Sequence, residues 1–221
     1  MNVAIFGATG MIGQAVLREC LQDPEVKTVL SIIRNATTQQ HPKLRELIHK
    51  DFLDFSPIAN QLTGLDTCFF CLGISSAGLS EGEYRRITYD ITIAAAQTLL
   101  RLNPSLTLIY ISGAGTDSSG RGRSMWARVK GQTENALLAM PFRAAYMFRP
   151  GLIVPLHGIK SRTRIYQFAY TLMKPLLPWM QRRWPASVTT TEKLGRAMLK
   201  AAKQGVPKRI LETSDIAELS A

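Results

Sequence analysis

The sequence is short of cysteine, of acidic side chains and of unbroken apolar runs, and each shortage excludes something. Three cysteines, Cys20, Cys68 and Cys71, are too few and too odd in number for a disulfide framework, so a reducing compartment is expected. Three histidines, His41, His49 and His157, match no zinc-ligand spacing, and no metal is expected. Sixteen acidic residues face 27 basic ones, which leaves a net charge of +11. Such a charge suits nucleic acid, an anionic membrane surface or a phosphate-rich ligand. The basic residues are dispersed, with local groups only at Lys160–Arg164 and Arg182–Arg183, and they form no dense stripe or nucleic-acid motif. No nucleic-acid partner is therefore expected. The most apolar stretch, "YQFAYTLMKPLLPWM", is interrupted by Lys174, Pro175 and Pro178. It falls short of the roughly 20 apolar residues of a membrane-spanning helix. The opening "MNVAIFGATG" lacks the basic start and long apolar core of a signal peptide. These absences lead to the expectation of a soluble, cytoplasmic protein.

What remains is an ordinary globular composition, 46% apolar and 19% charged over 221 residues, enough for one domain with a full core. Short β-rich runs alternate with helical patterns: "NVAIFGA", "KTVLSIIR", "LRELIHKD", "DTCFFCLG", "LTLIYISG" and "AAYMFRPG" are the strands. That alternation predicts an α/β fold, a Rossmann-like doubly wound parallel sheet over residues 1–221. A long helix is expected from Ser80, where Ser80 and Glu83 fit a capping box, to about Asn103. The Gly- and Ser-rich "TDSSGRGRS" reads as a mobile loop before a helix around Trp126–Met140. Residues 152–190 look irregular apart from a helical stretch near Ile165–Leu172, and are expected to form a small substrate-covering lid or an interface. A helix at Glu192–Gln204 and a strand "RILET" close the pattern.

The segment "FGATGMIG" places Gly7, Gly10 and Gly13, with Thr9, Met11 and Ile12, at the junction of the first strand and first helix. There, glycines permit a tight turn, close approach of backbone to a diphosphate, and close packing of helix on strand. The helix N-terminus adds unpaired N–H groups and a positive dipole end. An acid at the end of the second strand would favour NAD, but Val26 to Lys43 contains none, and Arg34 stands in that place. A guanidinium there pairs with a 2′-phosphate, so NADP is favoured over NAD. Asp51 and Phe52 are candidates to border the adenine, although Asp51 equally suits capping of the short helix that follows.

Taken together, "FGATGMIG", "CLG" at 71–73, "YDITIAAAQ" at 89–97, "YISGAGTDSS" at 110–119, "VKGQTE" at 129–134 and "FRPG" at 148–151 resemble an atypical short-chain dehydrogenase/reductase. The resemblance is to the NAD(P)H-binding, epimerase-like subgroup, related to Tat-interacting-protein-type oxidoreductases. It covers about two-thirds of the chain. It implies that Cys71, Leu72 and Gly73 lie by the cofactor, that Ser112 and Lys130 take the places of the family serine and lysine, and that Pro150 lies near the nicotinamide. It also implies that the 152–190 region covers a substrate.

One position departs from the family pattern: Trp126 stands where the family has a tyrosine. Trp126 and Lys130 are four apart and share a helix face. An indole N–H only donates and cannot exchange a proton near neutrality. Catalysis then needs a substitute acid: a water, Tyr84, Tyr89 or a group on the 116–124 loop. The leading expectation is an NADP(H)-dependent oxidoreductase or epimerase-like enzyme acting on a small carbonyl compound. Its rival is a catalytically weak or inactive NADP(H)-binding sensor or interaction protein. "CFFC" sits in an apolar strand and reads as structural. Arg121 and Arg123 are candidates to hold an anion, with a solvated loop as the plainer reading. The segment Arg164–Trp184 suits a lid, a homo-oligomer surface or peripheral membrane contact.

Overall fold

The computed structural model describes residues 1–159 and 188–220. At its centre is β1 (Asn2–Phe6), in which Val3, Ala4, Ile5 and Phe6 are wholly buried. A strand covered on both faces reads as a continuous apolar run, which is the pattern of parallel sheets flanked by helices. Around it lie β2 (Thr28–Ile33), β3 (Leu44–Ile48), β4 (Thr67–Phe70), β5 (Thr107–Ile111), β6 (Ala144–Arg149) and β9 (Ile210–Glu212). All seven are parallel, in the order β3-β2-β1-β4-β5-β6-β9. The chain winds outward from β1 to β3, then returns to place β4 on the other side of β1. Connections leave β1 and β4 in opposite directions, so a crevice opens at their carboxyl ends, where ligands of such sheets bind.

On one face pack α1 (Met11–Gln22), α5 (Thr191–Gln204) and α6 (Thr213–Leu219), through residues such as Val16, Leu194, Met198 and Ile216. The other face is covered by a 3₁₀ turn (Ser56–Gln61), by α3 (Ile91–Leu102) and by α4 (Met125–Leu138), through Ile58, Leu99 and Leu137. Each such Leu, Ile or Val side chain stabilises by about 1.5–3 kcal/mol when withdrawn from water. The helix expected from Ser80 is present as α2 (Glu81–Arg85), a π-helical turn (Arg86–Asp90) and α3. Its capping box is formed: Glu83 N–H donates to Ser80 Oγ at 3.3 Å, and Ser80 N–H donates to Glu83 Oε2 at 2.9 Å.

Two expectations differ from the structure. The edges of the 152–190 region are ordered: β7 (Leu152–Val154) and β8 (Val188–Thr190) pair in parallel as a separate two-stranded sheet. Three-residue strands are too short to carry a periodic signal. The helix expected near Ile165–Leu172, with the rest of the Arg164–Trp184 segment, lies outside the described residues. The Gly- and Ser-rich loop is tied down rather than loose. Asp117 accepts from the N–H groups of Ser119 (3.0 Å) and Gly122 (2.6 Å), and Arg128 donates to Gly122 O at 2.7 Å. The loop also sits hard against α4, where a Cβ at Gly131 would lie 1.8 Å from Asp117 O. The strand expected at "RILET" is present as β9, and it runs directly into α6, whose start is a capping box between Glu212 and Asp215.

Candidate active site

The site begins at the turn after β1. Gly7 has a φ of +78°, and a Cβ there would lie 2.8 Å from Cys71 O. Gly13, in the first turn of α1, would put a Cβ 2.1 Å from Gly7 O. Side chains are thus sterically barred at both points, and the backbone of the turn is bare. Gly10 precedes α1 with no side-chain cap, and the helix's first turn carries no acid. The result is a helix amino end with unpaired N–H groups and no negative charge, suited to a dinucleotide's diphosphate.

Two clefts meet at this turn. One, of about 250 Å³, is lined by Gly7, Thr9, Gly10, Arg34, Asn35, Thr37, Phe52, Cys71, Leu72 and Gly73, among others. The other, of about 400 Å³, continues from Gly10, Met11, Ile12 and Cys71–Gly73 to Ser112, Lys130, Pro150 and Ile153. The shared lining at Gly10 and Cys71–Gly73 makes one trough across the carboxyl ends of β1, β4 and β5. Arg34 is exposed at the end of β2, and among the described residues no hydrogen bond or ion pair holds it. Phe52 is buried and packs edge-on to Phe6 at 6.3 Å, forming an apolar wall at the Arg34 end. Asp51 does not line the trough. It is exposed, and its carboxylate accepts from Leu53 N–H at 3.0 Å, so it caps the turn toward the 3₁₀ helix. It takes neither expected role: the 3₁₀ helix starts only at Ser56, with Phe55 at its N-cap and no side-chain cap.

At the other end Lys130 Nζ donates to the backbone carbonyl of Ser112. Burial draws its pKa down to about 8, only partly opposed by Glu134 one turn further along α4. The Ser112 hydroxyl donates its proton to Glu134 Oε1 at 2.5 Å. Ser112 itself lines the cleft, with its hydroxyl proton engaged on Glu134. Trp126 differs. It is half-buried and lies over the turn after β5, its Cη2 3.6 Å from a Cβ placed at Gly115, and it does not line the cleft. The aromatic ring fills space beside the site instead of reaching into it.

The sequence reading missed Glu134 and Arg149. Glu134 is fully buried and gripped by Arg149, whose Nε donates at 3.0 Å and whose Nη2 makes the second contact. Arg149 also reaches Glu212 at 3.1 Å and Ser118 Oγ at 2.6 Å. The signal was present: an acid four residues after Lys130 falls on the same helix face, turned to the sheet. Arg121 and Arg123 are exposed and line neither cleft. In "CFFC", Cys68 is buried in β4, whereas Cys71 ends the strand and borders the trough, its thiol pKa pushed up by burial.

Comparison with known proteins fits this geometry. The chain is 31% identical over 159 residues to the protein fmp52-1, mitochondrial, of Aspergillus terreus, covering 69% of this chain and 66% of that protein. It is 28% identical over 159 residues to fmp52, mitochondrial, of Emericella nidulans. The match thus spans slightly under two thirds of these relatives' length. Their mitochondrial names overturn the expectation of a cytoplasmic protein, which rested on missing signals alone. No helix among the described residues is long and apolar enough to cross a membrane. In fold, the chain is similar to MoeE5 in complex with UDP-glucuronic acid and NAD, with a TM-score of 0.71, 16% identity, and 96% of this chain and 75% of that one covered. It is also similar to an oxidoreductase of the short-chain dehydrogenase/reductase family from Burkholderia thailandensis, with a TM-score of 0.70, 14% identity, and 98% and 92% covered. The sequence pattern of one family runs from residue 3 to residue 118, through the glycine turn, the Cys71–Gly73 wall and β5, and on this match the chain belongs to the NAD dependent epimerase/dehydratase family.

Proposed function

We propose that the protein is an NADP(H)-binding oxidoreductase or epimerase-like enzyme acting on a small carbonyl compound. The observation that carries this reading is the continuous trough from Arg34 across the bare Gly7–Gly13 turn to Lys130. Gly7, Thr9, Gly10, Met11, Ile12 and Gly13 would hold the diphosphate, with Phe52 beside the adenine and Cys71, Leu72 and Gly73 along the floor. Arg34 would pair with a 2′-phosphate, since no acid faces it to favour a free ribose hydroxyl. Lys130 would donate to the nicotinamide ribose, and Pro150 would border the nicotinamide. When bound, the dinucleotide supplies or accepts hydride. The chain's own part is to orient the two partners, which converts an encounter into a positioned reaction. The remaining length of the 400 Å³ cleft, walled by Ile74, Ile111, Leu152 and Ile153, suits a small, largely apolar carbonyl compound.

Trp126 favours a second reading, an NADP(H)-binding sensor with little or no turnover. Calorimetry with NADPH and NADH tests cofactor choice, with NADPH expected to bind more tightly. Absorbance assays with NADPH and a panel of aldehydes and ketones test chemistry. Turnover supports the enzyme; tight NADPH binding with no turnover on any compound supports the sensor.

A further inference from the structure

We propose that Lys130 is the proton donor of this site, in the place of the phenol that Trp126 does not provide. The inference rests on the carbonyl-reduction reading above and assigns its missing acid.

Elimination within the cleft comes first. Among its described lining residues only Cys71 and Lys130 carry titratable side chains. Burial raises the Cys71 thiol far above neutrality, so it stays protonated and gives up nothing. The Ser112 proton is committed to Glu134, and the Ser75 hydroxyl accepts from Ala77 N–H at 3.2 Å. An alkyl hydroxyl is in any case no acid near pH 7. Among the described residues the phenols lie elsewhere. Tyr84 and Tyr110 are buried in the core, and Tyr89 lies under the Arg85 guanidinium at 4.1 Å. No described histidine reaches the cleft: His49 Nε2 is held by the carbonyls of Asp51 and Asp54 at 2.5 and 2.8 Å, and His157 pairs with Glu192 at 2.8 Å. His41 Nδ1 accepts from Lys43 N–H at 3.1 Å.

Geometry then favours Lys130. An ammonium has three hydrogens in tetrahedral array. One is spent on Ser112 O, which fixes Nζ at the cleft wall. Two remain, enough for one ribose hydroxyl and one substrate oxygen. The anchor survives proton loss, because a neutral amine still has hydrogens to donate. Its ionisable surroundings are Glu134 one turn on, Arg149 from β6 behind Glu134, and Cys71 across the cleft. Glu134 is the one acid near enough to hold the ammonium charged, and its carboxylate is already matched by Arg149. Burial therefore prevails, and the amine sits near pKa 8, where a group can both give and regain a proton at working pH.

The step balances as follows. A reduced nicotinamide dinucleotide held in the trough would supply hydride to the substrate's carbonyl carbon, and the carbonyl electron pair would move onto oxygen. That oxygen takes a proton from Nζ, so an N–H bond breaks and an O–H bond forms. The carbonyl would be reduced to an alcohol, with the dinucleotide left oxidised. The neutral amine then regains a proton from water.

Two measurements on the full chain test this. Carbon-13 labelling at lysine Cε follows each amine by NMR as pH is raised. One signal titrating near 8, absent from Lys130→Arg, is expected; a Lys130 signal titrating with the other lysines overturns the proposal. In the NADPH assay with the carbonyl panel, kcat should fall on the alkaline side with that same midpoint. Lys130→Arg keeps the charge but holds its proton too tightly. It should lower kcat by about 10²–10⁴-fold, the usual worth of a positioned acid, while NADPH affinity stays within a few-fold. Turnover preserved in Lys130→Arg sinks the inference and leaves the enzyme reading standing. Absence of turnover in the parent protein, with NADPH bound, sinks both. Absence of NADPH binding removes the cofactor reading itself.

Discussion

Glu134 and Arg149 form an ion pair beneath the cleft in which the carboxylate has no exposed surface and the guanidinium very little. Glu134 holds the Ser112 hydroxyl, and the Ser112 carbonyl holds Lys130, so the pair underlies the wall on which the Lys130 amine is mounted. Breaking a buried pair from one side strands a charge, at a cost of about 3–5 kcal/mol. Arg149→Met should lose that much stability in urea unfolding. Replacing both partners, as Glu134→Leu with Arg149→Met, should recover most of it, since no buried charge is left unpaired and the Ser112 hydroxyl still has Phe148 O at 3.2 Å to donate to. A double variant as unstable as the single one would show that the other bonds of Arg149, to Glu212 and Ser118, dominate.

Gly13→Ala tests the bare turn. The added methyl would meet Gly7 O at 2.1 Å, and neither α1 nor β1 has room to retreat within the core. Overpacking of this kind costs about 1–3 kcal/mol. The larger consequence is a displaced turn, so NADPH affinity measured by calorimetry should fall by about tenfold or more, following the roughly 1.4 kcal/mol per decade of binding. Unchanged affinity would mean that no diphosphate lies there.

The residues also show how far sequence carries. β1 was readable because Val3 to Phe6 is apolar without a break, and the glycine turn because its position leaves one steric use for each glycine. The parallel order of the sheet followed from the alternation of strand and helix. Side-chain direction was not readable. Nothing in "YISG" says that Ser112 turns its hydroxyl to Glu134, and nothing in "MWARVK" says that Trp126 lies over Gly115 beside the cleft. The first depends on which polar group is buried beside it, and Glu134 is 22 residues from Ser112 along the chain. The loop misled for a related reason. Its glycines suggested freedom, while Asp117, a single residue, gathers the loop's N–H groups and docks it on Gly131.

Arg34→Ala tests cofactor choice. A charge-assisted bond to a phosphate is worth about 1.5–3 kcal/mol, so NADPH binding should weaken by about 10–150-fold. NADH has no 2′-phosphate and should lose far less. Calorimetry with both nucleotides on both proteins gives the comparison. Equal losses for the two would assign Arg34 to adenine stacking or to solvent, and would leave the preference for NADP without its residue.

Lys130 also makes stability depend on pH in a direction that can be worked out. Its ordinary pKa is 10.5, and in the folded chain burial lowers it to about 8. Between those values the unfolded chain keeps a proton that the folded chain has released, so stability rises as pH rises from about 8 toward 10.5. As pH falls back through 8 that gain is lost, and below 8 it is flat, because both states are charged. The full span corresponds to about 3 kcal/mol. Other groups titrate in this range, so the informative quantity is the difference between the parent protein and Lys130→Met. Urea unfolding without nucleotide, at about pH 7.5, 9 and 10, should show the variant more stable at the lowest pH, where it avoids burying a charge. Its advantage should shrink steadily toward the highest. Parallel pH profiles for the two proteins would mean that the amine is solvated in the fold, and that the cleft wall does not hold it as the Ser112 contact indicates.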